Sequence, residues 1–405
     1  AMVKRNPNFS KLASSYLFVE IRNRKEAFMA ANPDAKLIAL GIGDTTEPLP
    51  AVIVEAVKAK ADAMGTREGY QGYPEPYGED DIRKHIAKEI YKDAVSFDEI
   101  FVSDGSKPDL ARFQFLSAAG SKIAVQDPVY PAYVDQSVIG GKTGLNKDGR
   151  YENIVYMDCN PANNFFPDLS ILDSSVDYIF FCSPANPSGA VATKDQLAAL
   201  IAKAKEIGAF IVFDGAYSAF IQDDSLPKSI YEVPGAREVA FETNSFSKNL
   251  GFTGVRLGWT VCPKDLKFED GALVHADWSR VVGTMSNGPS HFASAGACAM
   301  FTEAGMKAHK ELIQYYLGNA KLVREVLLKA NMEVYGGDNA PYVWVRCPGK
   351  DSWSTFQEFL DKCQIVSTPG AGFGSMGEGF VRFSSFAPRA AVEEAVTRLA
   401  KHYGV

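Results

Sequence analysis

Lys248 lies in the run Ser245-Phe246-Ser247-Lys248-Asn249-Leu250-Gly251-Phe252-Thr253-Gly254-Val255-Arg256. A lysine amine becomes nucleophilic when burial or a nearby cation lowers its basicity, and it then forms an imine with an aldehyde. Arg256 can supply that cation. Ser245, Ser247, the glycines and Arg256, this densely spaced, suit a phosphate group. An aldehyde and a phosphate on one small molecule point to pyridoxal 5'-phosphate (PLP), and other segments hold the remaining parts of such a site.

Asp214 ends the apolar run Ile211-Val212-Phe213. A buried carboxylate there keeps the cofactor's ring nitrogen protonated, as an electron sink requires. Tyr217 and Asn186, the latter in Ser183-Pro184-Ala185-Asn186-Pro187, can both reach the ring oxygen. Gly105-Ser106-Lys107 precedes a helix expected over Pro108 to Leu116, whose free N–H groups would hold phosphate. Pro131 keeps Tyr130 extended, so its ring can lie against a heteroaromatic cofactor. Arg382 stands inside the strand pattern Val381-Arg382-Phe383-Ser384. A buried arginine is costly unless paired, and a substrate carboxylate would pair it through two hydrogen bonds. Each residue also has an ordinary reading: loop lysine, turn, capped helix, core tyrosine, internal ion pair. Their combination favours the site.

The elements that must position them alternate. Strands are expected at Lys122 to Gln126, Asp177 to Cys182, Ala209 to Phe213, Glu238 to Glu242 and Val255 to Val261, with a helix over Gln196 to Ile207. This spacing predicts an α/β fold with an open, mostly parallel sheet flanked by helices and a site beyond the strands' carboxyl ends. From about Ala293 the pattern changes to a long helix over Met306 to Ala330. Shorter strands follow at Glu333 to Tyr335, Tyr342 to Val345 and Phe380 to Ser384, with helices at Trp353 to Cys363 and Arg389 to His402. The expected division is a large PLP-binding domain over residues 39–292 and a smaller α+β domain formed by 1–38 with 293–405.

The 405 residues are 46% hydrophobic, enough for two such cores. A net charge of −7 without a basic block argues against nucleic acid, and no apolar stretch is long enough to span a bilayer. Six widely spaced cysteines suggest a reducing compartment, cytoplasm or plastid stroma, and five scattered histidines suggest no metal centre.

Taken together, the motifs resemble fold-type-I PLP aminotransferases, and among them the LL-diaminopimelate aminotransferase family. The resemblance rests on Tyr16-Leu17-Phe18, Gly41-Ile42-Gly43-Asp44-Thr45-Thr46-Glu47-Pro48, Ser103-Asp104-Gly105-Ser106-Lys107, Tyr335-Gly336-Gly337, Ala340-Pro341-Tyr342 and Thr368-Pro369-Gly370. It implies that Lys248 binds the cofactor and shuttles a proton, that Asp214 pairs with the ring nitrogen, and that Tyr130 stacks on the ring. Gly105, Ser106, Lys107, Ser245, Ser247 and Arg256 would surround the phosphate. Arg382, helped by the backbone at Gly43, would hold the substrate's α-carboxylate, with Tyr16, Lys107 and Asn186 nearby. Tyr73 and Asn287 would reach the neighbouring subunit's site, which implies a homodimer with shared active sites. The implied reaction passes an amino group from an L-amino acid, LL-2,6-diaminopimelate, to 2-oxoglutarate. The chain departs from the family pattern at Pro74-Glu75-Pro76 and Ser286. Those departures leave a second reading: a PLP-dependent lyase or cyclase acting on a cationic amino acid such as a hydroxylated arginine.

Overall fold

The computed structural model describes residues 1–13 and 16–405, the side chain of Tyr16 excepted. Its central sheet has seven strands: β1 (Ile100–Ser103), β2 (Ile123–Asp127), β3 (Ile154–Asp158), β4 (Tyr178–Cys182), β5 (Phe210–Asp214), β6 (Ala240–Ser245) and β7 (Gly258–Val261). Their order is β1-β7-β6-β5-β4-β2-β3. Only β7 runs antiparallel to its neighbours β1 and β6. The inner strands are almost wholly buried, and most are rich in Val, Ile and Phe, because helices such as Lys194–Ile207 and Val274–Met285 cover both faces. The edge strand β3, which the sequence pattern does not mark, is half-exposed.

The parallel direction brings one end of each strand to the same edge. Ser103, Asp127, Cys182, Asp214 and Ser245 all close their strands there, and Gly258 opens β7 beside Ser103 and Ser245. Val255 to Leu257, expected within β7, instead belong to the loop that returns from Lys248.

A second, antiparallel sheet contains β8 (Val334–Gly336), β9 (Tyr342–Arg346), β10 (Thr368–Pro369) and β11 (Phe380–Ser384), in the order β8-β9-β11-β10. Helices Glu303–Lys329 and Arg389–Tyr403 pack on it through Ala320, Val323, Leu327, Val392, Ala395 and Leu399. The helix expected over Trp353 to Cys363 ends at Glu358 and continues as a wider π-turn over Phe359–Cys363. The short strand Ile38–Ala39 pairs in parallel with Ile365–Val366. The following backbone, Gly41 to Gly43, is thereby carried between the two sheets and into the site.

Candidate active site

At the carboxyl edge of the central sheet lies a cavity of about 860 Å³. Lys248, Asp214, Tyr217, Asn186 and Arg382 line it, as do Tyr130, Ser106, Lys107, Ser245, Ser247, Arg256 and Gly43. Residues separated by up to 339 positions, Gly43 to Arg382, therefore face one space.

Lys248 follows β6 and is partly buried, and its ammonium donates to the Gly43 carbonyl. Burial pulls its pKa down to about 8. Asp44 opposes this shift, while Arg382, Arg256 and Lys107 add to it. Near neutral pH an appreciable share of this amine is uncharged and nucleophilic, as imine chemistry requires.

Asp214 ends β5 and is buried. The Tyr133 hydroxyl donates to Oδ2, and the Ala216 N–H donates to Oδ1 at 3.0 Å. Burial raises its pKa, with those two hydrogen bonds opposing. Among the described residues it enters no ion pair. A carboxylate out of water and lacking a cation suits a protonated ring nitrogen. Tyr133 is a part of this arrangement that sequence reasoning missed, since its helical spacing from Tyr130 also fits a core aromatic.

The residues expected to hold a phosphate line the same cavity. Gly105 caps helix Ser106–Leu116, so the helix begins two residues before the expected Pro108 and presents the Ser106 and Lys107 amides at its open end. Gly105 has φ +136, and a Cβ there would come within 2.5 Å of Arg256 Nη2. Only glycine lets the guanidinium lie against the helix start. Arg256 itself has φ +74 and bonds Thr253 O at 3.2 Å. Ser245 Oγ accepts from the Ser247 N–H at 2.9 Å, which fixes the turn leading to Lys248. Helix N–H groups, two hydroxyls and a guanidinium match a phosphate monoester.

Arg382 is 6% exposed. Its Nη1 donates to Asn186 Oδ1 at 2.7 Å and its Nη2 to Gly41 O at 2.6 Å, while Nε has no partner among the described residues. The guanidinium packs over the rings of Tyr342 and Phe373. No internal ion pair satisfies it, so the pairing of Arg382 with a side-chain carboxylate, the ordinary alternative, is absent among the described residues. Tyr217 OH shares a 2.7 Å hydrogen bond with Tyr342 OH. Tyr342 in turn leaves no room for a side chain at Gly43, where a Cβ would come 2.9 Å from its hydroxyl.

Tyr73 and Asn287 do not join this cavity. Both are exposed on the surface, Tyr73 at 86%. Their segments are neighbours, because His291 Nε2 hydrogen-bonds Gly72 O at 2.7 Å. Tyr16 opens the helix Tyr16–Ala31, and its side chain lies outside the described residues.

Residues 35–399 match the family described as aminotransferase class I and II. A probable chloroplastic LL-diaminopimelate aminotransferase of Oryza sativa subsp. japonica is 51% identical over 99% of this chain and 87% of its own length. The LL-diaminopimelate aminotransferase of Protochlamydia amoebophila is 47% identical over 99% of this chain and 98% of its own. The chain belongs to the LL-diaminopimelate aminotransferase family. The solved L,L-diaminopimelate aminotransferase of Chlamydomonas reinhardtii superposes with a TM-score of 0.94 at 51% identity, covering 99% of each chain. This member of the family is a PLP-dependent aminotransferase with a fold-type-I α/β architecture. Elimination or cyclisation, the second reading raised by Pro74-Glu75-Pro76 and Ser286, is not favoured by these relatives.

Proposed function

We propose that the enzyme transfers an amino group from LL-2,6-diaminopimelate to 2-oxoglutarate. Identity near one half over the full chain supports the donor. The observation that carries the site reading is Arg382, a buried guanidinium that no side-chain carboxylate pairs among the described residues and that lines the same cavity as Lys248.

The bound cofactor supplies the electron sink that makes the substrate's Cα–H acidic. In our reading Ser106, Lys107, Ser245, Ser247 and Arg256 bind its phosphate, and Asp214 holds the proton at its ring nitrogen. Asn186 and Tyr217 orient its ring oxygen, and Tyr130 covers the ring. Arg382 binds the α-carboxylate and so turns the Cα–H bond towards Lys248. Lys248 Nζ, with its lowered basicity, takes that proton and returns it during transfer.

The exposed segments support a homodimer with shared sites. Tyr70, Tyr73, Met285 and Phe292 expose large apolar surfaces on the two neighbouring segments that carry Tyr73 and Asn287. In our reading a second copy covers them and receives both residues at its own cavity. We also propose the division into a domain of residues 39–292 and one of 1–38 with 293–405. Among the described residues no helix is long and apolar enough to cross a membrane. The rice relative is described as chloroplastic and the Protochlamydia relative is bacterial, so cytoplasm or plastid stroma both suit the chain.

The test is to mix holoenzyme with LL-diaminopimelate and 2-oxoglutarate and follow glutamate. Glutamate formed in step with loss of the donor is expected. No glutamate from this pair, with glutamate formed from another donor, would refute the donor assignment.

A further inference from the structure

Asp127 closes β2 at the same edge of the central sheet as Asp214 and Ser245, and it is buried. It does not line the cavity. Its carboxylate turns instead to the second sheet, to the loop of residues 370–379 between β10 and β11. Oδ2 accepts from Ser375 Oγ at 2.9 Å, and Oδ1 accepts from the Met376 N–H at 3.1 Å. Two residues further along the chain, the Val129 N–H donates to Phe373 O at 2.9 Å. Arg150 completes the clasp. Its Nη2 reaches Asp127 Oδ2 at 2.7 Å and Asp158 Oδ1 at 2.6 Å, and its Nε donates to Ser375 Oγ at 3.1 Å. A buried carboxylate is tolerated when a cation pairs with it and hydrogen bonds use its remaining lone pairs, and Asp127 has both. Gly374 permits the close approach: its φ is +129, and a Cβ there would run into Asp127 Oδ1.

The same loop carries Phe373, which is buried and lines the cavity. The centre of its ring lies 4.9 Å from Arg382 Cζ. The other ring against the guanidinium, that of Tyr342 at 4.4 Å, is placed differently. Tyr342 belongs to β9, which pairs directly with β11, the strand that bears Arg382, so their spacing is set within one sheet. Phe373 has no such strand register, and its place depends on what fastens its loop. Ring packing attracts a guanidinium and holds the plane of its fork, on which paired hydrogen bonds to a carboxylate depend. The contacts made by Asp127 thus reach Arg382 through Phe373.

We propose that Asp127 is a positioning residue for substrate binding. It clasps the loop of the second sheet to the central sheet, so that Phe373 holds the Arg382 guanidinium in the orientation that receives a carboxylate. The proposal rests on the carboxylate role of Arg382 in the reading above. Asp127 touches neither substrate nor cofactor, and its whole effect passes through Phe373 to Arg382.

The test follows three quantities: kcat/KM of the holoenzyme for LL-diaminopimelate, its Kd for the unreactive probe butyrate from the change in cofactor absorbance, and the Kd for PLP by equilibrium dialysis. Asp127→Ala should weaken butyrate binding and lower kcat/KM by about fivefold each, the size of one ring–cation contact, while the Kd for PLP stays within about twofold of wild type. Ser375→Ala, which removes one hydroxyl from the clasp, should shift both in the same direction by about threefold, and it decides the matter if Asp127→Ala does not fold. In an Arg382→Gln background, where no guanidinium remains to be held, either substitution should lower kcat/KM by less than about 1.5-fold further, because residues acting through one another do not add. Unchanged butyrate binding and kcat/KM in both variants, a parallel loss of PLP affinity, or the full loss repeated on Arg382→Gln would overturn the proposal. Butyrate affinity that Arg382→Gln leaves at the wild-type value would overturn the Arg382 reading and the proposal with it. Wild type that does not turn over LL-diaminopimelate would refute the donor reading alone, and butyrate binding then decides the role of Asp127.

Discussion

Replacing Arg382 by Gln should separate activity from stability. Arg382 is buried, and among the described residues its polar contacts are Asn186 Oδ1 at 2.7 Å and Gly41 O at 2.6 Å. Each Nη nitrogen uses one hydrogen in these bonds and carries a second, and the residue lines the cavity, so the guanidinium keeps donors for a substrate carboxylate. Truncating one partner of a buried, hydrogen-bonded charge pair costs about 2–5 kcal/mol. A mid-range loss of about 3 kcal/mol corresponds to a fall of roughly 150-fold in kcat/KM for the amino donor. Arg382→Lys keeps the charge but loses the planar fork, and it should fall between wild type and Gln. The folded chain without ligand should respond far less. Two hydrogen bonds of about 1 kcal/mol each are lost, but burial of a cation without a carboxylate is relieved. The melting temperature of substrate-free Arg382→Gln should therefore stay within a few degrees of wild type, about what 1–2 kcal/mol produces. Steady-state kinetics and thermal unfolding measure the two sides. A kcat/KM within about threefold of wild type, under ~1 kcal/mol, would refute the carboxylate-binding role.

Three further outcomes follow from the same geometry. Lys248 titrates near 8 in the fold against 10.5 ordinarily, so between those values the folded state has released a proton that the unfolded chain retains. The stability of PLP-free protein should therefore rise through that window, and the advantage of Lys248→Met over wild type in urea unfolding should shrink from pH about 7.5 to about 10; a constant gap would contradict the lowered basicity. Gly105→Ala should push the Arg256 guanidinium away from the helix start, raising the Kd for PLP at least about tenfold while phosphate-free pyridoxal changes little. Tyr133→Phe removes the hydroxyl donated to Asp214 and should weaken PLP binding by about 1–2 kcal/mol, read by equilibrium dialysis.

The residues at strand ends were the most legible in the sequence. Asp214 ends a short apolar run, Asn186 and Ser245 lie a few residues beyond the expected strands, and a parallel sheet brings such ends to one edge whatever the details of packing. Other parts depended on tertiary contacts that local patterns do not encode. β3 escaped notice because an edge strand is only half-buried and lacks a continuous apolar run. The antiparallel direction of β7 is set by its pairing with β1 and β6, which no periodicity reveals. Tyr133 looks like any core tyrosine until Asp214 is placed against it.

Chemical trapping on Lys248 tests the central claim most directly. Borohydride reduction of the holoenzyme followed by peptide mass mapping should place the mass of the reduced cofactor on the peptide containing Lys248, with loss of the label in Lys248→Ala. Label on a different lysine, or none on a protein that retains its cofactor absorbance and turnover, would contradict the account.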